Sequence, residues 1–250
     1  MLIMDKMNAS LRNYLQQNHE KLTWKERIQI IDDISRALSL IHVENAIHRD
    51  LHSGNILYSQ LNQRFFIGDL GFCGPADKPL NSTYGNLPYI APEVIIGKET
   101  TFASDVYSIG MIMWEISSGQ PPFINYENDY DLAMKIVNGM RPKIVSGTSL
   151  EYKELMEQCW DADPTKRPDI WTLEDEIGEM SRLNYQNEEQ QINNNTSTNN
   201  PPLNICSSIS SSSINTFFES FSSRLYNFRN LPKPRNATKG NSTILIIILY

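Results

Sequence analysis

The densest run of reactive side chains in this 250-residue sequence is His48-Arg49-Asp50-Leu51-His52-Ser53-Gly54-Asn55, a polar, glycine-containing stretch followed by the short apolar run Ile56-Leu57-Tyr58. Downstream, Arg64-Phe65-Phe66-Ile67 leads into Gly68-Asp69, so a second short strand delivers a carboxylate at its end. Acidic and amide groups therefore stand on adjacent strand ends, where they could handle protons and metal-complexed anions. Taken singly, Asp50 reads as a turn former and His48 as an N–H donor to backbone. What lifts the run above that reading is its fit to H-R-D-L-x-x-x-N at every fixed position, with Asp69-Leu70-Gly71 and then Ala91-Pro92-Glu93 in order behind it.

The elements that must hold these residues can be read from periodicity. Thr23 followed by Glu26 is a capping box, and Ile28, Ile31, Ile34, Leu38 and Ile41 behind it predict an amphipathic helix to about His42. The reactive run is then a loop between that helix and short strands. From Gly74 to Leu87 the chain is rich in Gly, Pro, Asn and Ser with no period, and it reads as a long functional loop. Residues 104–118 are apolar almost all round and stop at Gly119 before Pro121-Pro122, which predicts a helix buried on every side. Further helices are expected at Asp131–Asn138, Leu150–Trp160 and about Asp169–Leu183.

The three motifs in this order and spacing resemble the eukaryotic protein kinase family. What the resemblance implies is a chemistry of placement and charge neutralisation. Asp50 would orient the acceptor hydroxyl or take its proton, Asn55 and Asp69 would hold Mg2+ against the phosphates of ATP, and Arg49 would receive a phosphate or acid from the activation segment. His48 would pack beneath the loop. His52 stands where serine/threonine kinases usually carry Lys; its bland reading is a solvated loop histidine. Asp105, in Ser104-Asp105-Val106-Tyr107-Ser108-Ile109-Gly110, would tie down the catalytic-loop backbone, with a helix N-cap as its ordinary alternative. Arg167, in Pro164-Thr165-Lys166-Arg167-Pro168, would pair with Glu93. Ser82, Thr83 and Tyr84 fall in the implied activation segment as phosphosite candidates. The stretch Gly85-Asn86-Leu87-Pro88-Tyr89-Ile90-Ala91-Pro92-Glu93 is more similar to the serine/threonine pattern than to the tyrosine one, although Asn86 replaces the usual Thr. The tyrosine-kinase-like branch is the nearest likeness.

Residues 2–7 and Ser10-Leu11-Arg12-Asn13-Tyr14-Leu15 resemble the family's hinge and the helix after it. By that alignment Asp5 and Met7 would offer backbone groups to adenine and Leu57 would floor its pocket. No G-x-G-x-x-G occurs in the sequence. The expectation is therefore a hinge plus C-lobe over residues 1–184, an N-terminally incomplete kinase with little activity as given. The alternative is a non-catalytic remnant that docks substrates or a partner kinase. The expected fold is mainly α (α+β), about six to seven helices with short β-hairpins.

Composition bounds the rest. Residues 185–250 hold 12 Asn and 11 Ser but only five basic and three acidic side chains, which reads as a disordered Asn/Ser-rich tail. Removing its +2 from the net −7 leaves −9 on residues 1–184, a sign that repels nucleic acid and leaves protein substrates as the expected partners. Three widely spaced cysteines, Cys73, Cys159 and Cys206, fit a reducing, intracellular and cytoplasmic setting. The apolar end, Ile244–Tyr250, is far shorter than the roughly 20 residues of a spanning helix, so no membrane association is expected.

Overall fold

The computed structural model describes residues 7–75, 83–127, 129–194 and 222–237. The chain enters on β1 (Ala9–Ser10) and turns at once into α1 (Leu11–Asn18), where Ser10 Oγ accepts the Asn13 N–H. Thr23 caps α2 (Trp24–Val43): its hydroxyl accepts the Glu26 N–H, and Glu26 accepts the Thr23 N–H at 2.7 Å, closing the box that the sequence predicts. Its apolar stripe, Ile28, Ile31, Ile34 and Leu38, is buried. Beyond it come β2 (Ala46–Ile47), the reactive loop, β3 (Ile56–Ser59) and β4 (Arg64–Ile67). β3 sits between β1 and β4 in a three-stranded antiparallel sheet, with Leu57 opposite both Ser10 and Phe66. Asp33 on α2 pins this sheet, accepting from Arg64 Nε at 2.9 Å and from the Phe65 N–H at 3.0 Å.

The described ends of the interval 74–87, residues 74–75 and 83–87, hold more order than its composition suggests. β5 (Gly74–Pro75) pairs with β2, β6 (Thr83–Gly85) pairs with a strand from far along the chain, and a 3-10 turn spans Leu87–Tyr89. Sequence reading found no element there because each strand is two or three residues long and takes its order from distant partners. Then follow α3 (Pro92–Ile95), α4 (Phe102–Ser118), α5 (Tyr130–Val137), α6 (Leu150–Cys159) and α7 (Ile170–Asn194). α4 is the hub, with Val106, Tyr107, Ile109, Met111, Ile112, Met113 and Ile116 all buried. It packs against α6, while α2 packs along α7.

Two features lie inside the stretch read as a single disordered tail. α7 runs to Asn194, past the expected end at Leu183, because its apolar stripe docks on α2 and the Asn/Gln-rich turns beyond continue the same helix. β7 (Arg224–Tyr226) pairs antiparallel with β6, matching Thr83 with Tyr226 and Gly85 with Arg224. Local composition is polar here, but Tyr226, Phe228 and Leu231 pack against the core, supplying apolar area that the Asn and Ser average concealed. Cys206, Ser210 to Ser213 and the apolar end Ile244–Tyr250 lie outside the described residues. Among the described residues, no helix is long and apolar enough to cross a membrane.

Candidate active site

The reactive loop is fastened from beneath by Asp105 in the first turn of α4. One oxygen accepts the His48 N–H at 2.8 Å and faces His42 Nε2 at 3.0 Å, while the other accepts the Arg49 N–H at 3.0 Å. Asp105 does not cap the helix, because Thr101 is the N-cap residue and Ser104 Oγ takes its N–H. His48 is fully buried and bridges the two strand ends, its Nε2 donating to the Gly68 carbonyl at 3.0 Å and its Nδ1 accepting the Asp50 N–H. Arg49 and Asp69 both hold positive φ, 71° and 53°. Left-handed backbone is costly for residues with a Cβ, and two instances flanking one site mark strain kept for placement.

Asp50 lies at the centre, 4% exposed. Asn55 Nδ2 donates to its backbone carbonyl at 2.9 Å, so the amide nitrogen of Asn55 faces Asp50. Burial pushes the Asp50 carboxyl above the usual carboxylate range; the charge of Asp69 adds to this, and hydrogen bonds from Ser223 and Asn55 oppose it. Asp69, on the strand end next door, is exposed and accepts a long 3.4 Å bond from the Gly71 N–H. Gly85 closes the site from the activation segment at φ 137°, where a Cβ would come 3.3 Å from Asp50 Oδ1.

The donor set fits Mg·ATP. Asn55 and Asp69 offer hard oxygens at adjacent strand ends with lone pairs uncommitted to tight protein bonds, and Mg2+ takes one or two such ligands beside phosphate oxygens and water. Among the described residues no group of three or more His, Cys, Asp or Glu side chains is placed to hold a metal ion. Met7 is half-buried at the sheet edge, where the next residue's N–H donates to the Tyr58 carbonyl. Leu57 covers Gly68, and a Cβ there would come 2.7 Å from Leu57 Cδ1. Asp5 lies outside the described residues.

His52 is no solvated loop residue. It is 6% exposed, its Nδ1 accepts the Gly54 N–H at 3.0 Å, and its Nε2 lies 3.7 Å from Asp50. Burial, aided by the charges of Arg12 and His48, pushes its pKa down to about 3 from 6.5. It is therefore a neutral Nε2–H donor at pH 7, not a cation. The unfolded chain takes up this proton near pH 6.5 and the folded chain only near pH 3, so stability falls as pH drops through that window. At about pH 4.5 the loss is roughly 2–3 kcal/mol. Thermal melts from pH 7 downward should show it, and His52→Asn, whose Oδ1 can still accept from Gly54, should flatten the slope; parallel wild-type and variant curves would contradict it.

The described residues on either side of 76–82 are held by side chains that donate to main-chain carbonyls and by one ring stack. Arg49 donates to the Phe72 carbonyl at 3.3 Å and the Pro75 carbonyl at 2.8 Å, the place where the resemblance implies a phosphate or acid. Thr83 Oγ1 donates to the Val94 carbonyl, and Tyr84 stacks on Phe72 with centroids 3.8 Å apart. Ser82 lies outside the described residues. Behind the segment, Glu93 and Arg167 form a bidentate pair at 2.7 and 2.8 Å, and both are buried. Arg167 also donates to the Ala103 and Asp161 carbonyls and lies over the Tyr107 ring.

A second buried network escaped sequence reading. Arg12 on α1 donates to Ser53 Oγ at 3.2 Å and to Tyr89 OH at 3.5 Å; Tyr89 OH in turn donates to Glu115 on α4 at 2.5 Å. It clamps the far end of the reactive loop as Asp105 clamps the near end. Burial pushes the Glu115 carboxyl up, against the pull of Arg12. The signals in the sequence are an acid, Glu115, in the apolar α4 and an Arg in α1.

Comparison with known proteins agrees with this geometry. The protein tyrosine and serine/threonine kinase family description matches residues 1–177. A human dual serine/threonine and tyrosine protein kinase is 33% identical over 195 residues, 76% of this chain and 20% of that protein. Two putative serine/threonine-protein kinase/receptors of Acanthamoeba polyphaga mimivirus are similar too. R818 is 34% identical over 183 residues, covering 70% of this chain and 11% of its own length; R826 is 34% identical over 172 residues, covering 68% and 10%. The chain thus spans a fifth or less of the length of these relatives.

Proposed function

We propose, from the premise that this chain belongs to the protein tyrosine and serine/threonine kinase family, that its reactive loop serves ATP-dependent phosphoryl transfer to serine or threonine hydroxyls of proteins, with tyrosine a further acceptor. The observation that carries the reading is the convergence of Asp50, Asn55 and Asp69 on two strand ends whose backbone is locked by Asp105 and His48. Mg·ATP, when bound, supplies the phosphoryl group and a cation that offsets charge on its oxygens. Asn55 and Asp69 would hold the cation. Asp50 orients the acceptor hydroxyl and accepts its proton, and its raised affinity for protons suits that task. His52 contributes a neutral N–H where a lysine would contribute charge, which shifts the neutralising duty to the metal. Leu57 and the backbone near Met7 cradle the adenine. Arg49 keeps the activation segment in register, and Ser82, Thr83 and Tyr84 are positions where added phosphate could engage it.

A protein substrate is the partner this chemistry requires. The half-buried Cys73 and the buried Cys159, both free thiols, fit a reducing intracellular setting. The test is incubation of the full chain with Mg·ATP and serine-, threonine- and tyrosine-containing peptides, with phosphate read by mass spectrometry. Mg2+-dependent phosphate on serine or threonine, lost in Asp50→Asn, is the expected result. Mg·ATP binding without any transfer would move the reading to a non-catalytic module that docks substrates or a partner kinase.

A further inference from the structure

Residues 222–237 return to the reactive loop from far along the chain. β7 extends β6 in antiparallel register, and the register carries Ser223, the residue before β7, past Gly85 and onto Asp50. Ser223 Oγ–H donates to Asp50 Oδ1 at 2.7 Å. His52 Nε2 lies 3.0 Å from Ser223 Oγ, and because its Nδ1 is occupied by the Gly54 N–H, the ring donates to that hydroxyl through Nε2. The hydroxyl thus gives its proton to the Asp50 carboxylate and receives a hydrogen bond from His52, with the Tyr84 hydroxyl as a further neighbour.

The segment is anchored along its length. Tyr226 and Phe228 stack at 5.2 Å, and Phe228 meets Tyr130 of α5 edge-on. The Arg235 N–H donates to the Val137 carbonyl at 3.1 Å, Asn236 Oδ1 accepts the Ala162 N–H at 2.8 Å, and Asn236 Nδ2 donates to Asp161 at 3.0 Å. Gly139 makes room for its end: at φ 97°, a Cβ there would come 2.4 Å from the Ala237 nitrogen.

We propose that residues 222–237 form a substrate-like strap in the acceptor groove, with Ser223 in the phosphoacceptor position and hence a site of modification by the chain's own reactive loop. The proposal rests on the kinase reading above and deepens it: the groove takes an extended, serine-containing segment paired to the activation segment, with an aromatic residue three positions after the serine. In the transfer, Ser223 Oγ forms a bond to the γ-phosphorus of ATP as the bond from that phosphorus to the β,γ-bridging oxygen breaks. ADP leaves with that electron pair and Asp50 takes the Oγ proton. The resulting phosphoserine sets roughly −1.5 to −2 charges against Asp50 and Asp69, so modification expels the strap and opens the groove.

Amide hydrogen exchange on the full chain tests the strap without nucleotide. Protection at 83–85 and 224–226 is expected in the wild type and in Ser223→Ala, which keeps the strand pairing and the Asn236 anchors. Ser223→Glu should lower it at both strands by about tenfold or more, since its carboxylate meets Asp50. Absence of protection in the wild type, or equal protection in Ser223→Glu, overturns the strap. Phosphosite mapping after incubation with Mg·ATP tests the acceptor: phosphate on Ser223 supports it, and an unmodified Ser223 in a chain that phosphorylates added peptide overturns it. A chain that transfers no phosphate to added peptide overturns the kinase reading instead, while the exchange data still decide whether the strap is docked.

Discussion

Asp50→Asn is expected to lower phosphoryl transfer by about 10²- to 10⁴-fold while leaving the melting temperature at or above that of the wild type. The substitution is isosteric. The Asn55 bond to the residue-50 carbonyl, the His48 contact to its N–H and the Asp105 clamp on the neighbouring backbone all remain. What disappears is a proton acceptor facing the hydroxyl. The carboxylate is also a cost to the fold, since burial and the nearby Asp69 charge both disfavour its ionised form. A neutral amide relieves that cost, a common pattern where an active site holds a charge for function rather than stability. Transfer at the wild-type rate would remove Asp50 from the chemistry. A collapse in melting temperature would make it a structural residue.

Arg167→Ala should destabilise the fold by about 3–5 kcal/mol, the range for stranding one charge of a buried pair. Glu93 is 3% exposed and Arg167 6%, with two short bonds between them, so solvent cannot take the place of the lost guanidinium. The Ala103 and Asp161 carbonyls lose their donors too. For a domain of this size the fall in melting temperature is on the order of 10 °C. Adding Glu93→Gln to Arg167→Ala should recover part of the loss, because it removes the stranded charge, but not all, because the two carbonyls stay unsatisfied. Denaturant melts of the two single variants and the double variant measure this. A single variant within about 0.5 kcal/mol of wild type would contradict a structural role for the pair.

What could be read from the sequence follows from which interactions are local. His48 to Asn55 lie on one short loop, so their types and spacing survive in the linear pattern, and the capping box at Thr23 and Glu26 is likewise written within four consecutive positions. The pair Glu93 and Arg167 is 74 positions apart and became visible only through family resemblance. The Arg12, Ser53, Tyr89 and Glu115 network joins four separate segments and has no periodicity, so each member looks ordinary by itself. β5, β6 and β7 are too short to show alternation, and their order comes from pairing across the chain. His52 shows the same limit. Its neighbours in sequence are polar, which suggests water, but its neighbours in space are Asp50, Tyr89 and Ser223, which exclude it.

A thermal melt of the full chain with and without Mg·ATP shows whether the strand ends bearing Asn55 and Asp69 form a site for the nucleotide. At about ten times its Kd, a ligand that binds only the folded state adds roughly 1.4 kcal/mol, or about 3–6 °C for a domain of this size. That rise is expected, and so is its loss when Mg2+ is chelated and in Asp69→Asn. An unchanged melting temperature at millimolar Mg·ATP would contradict it.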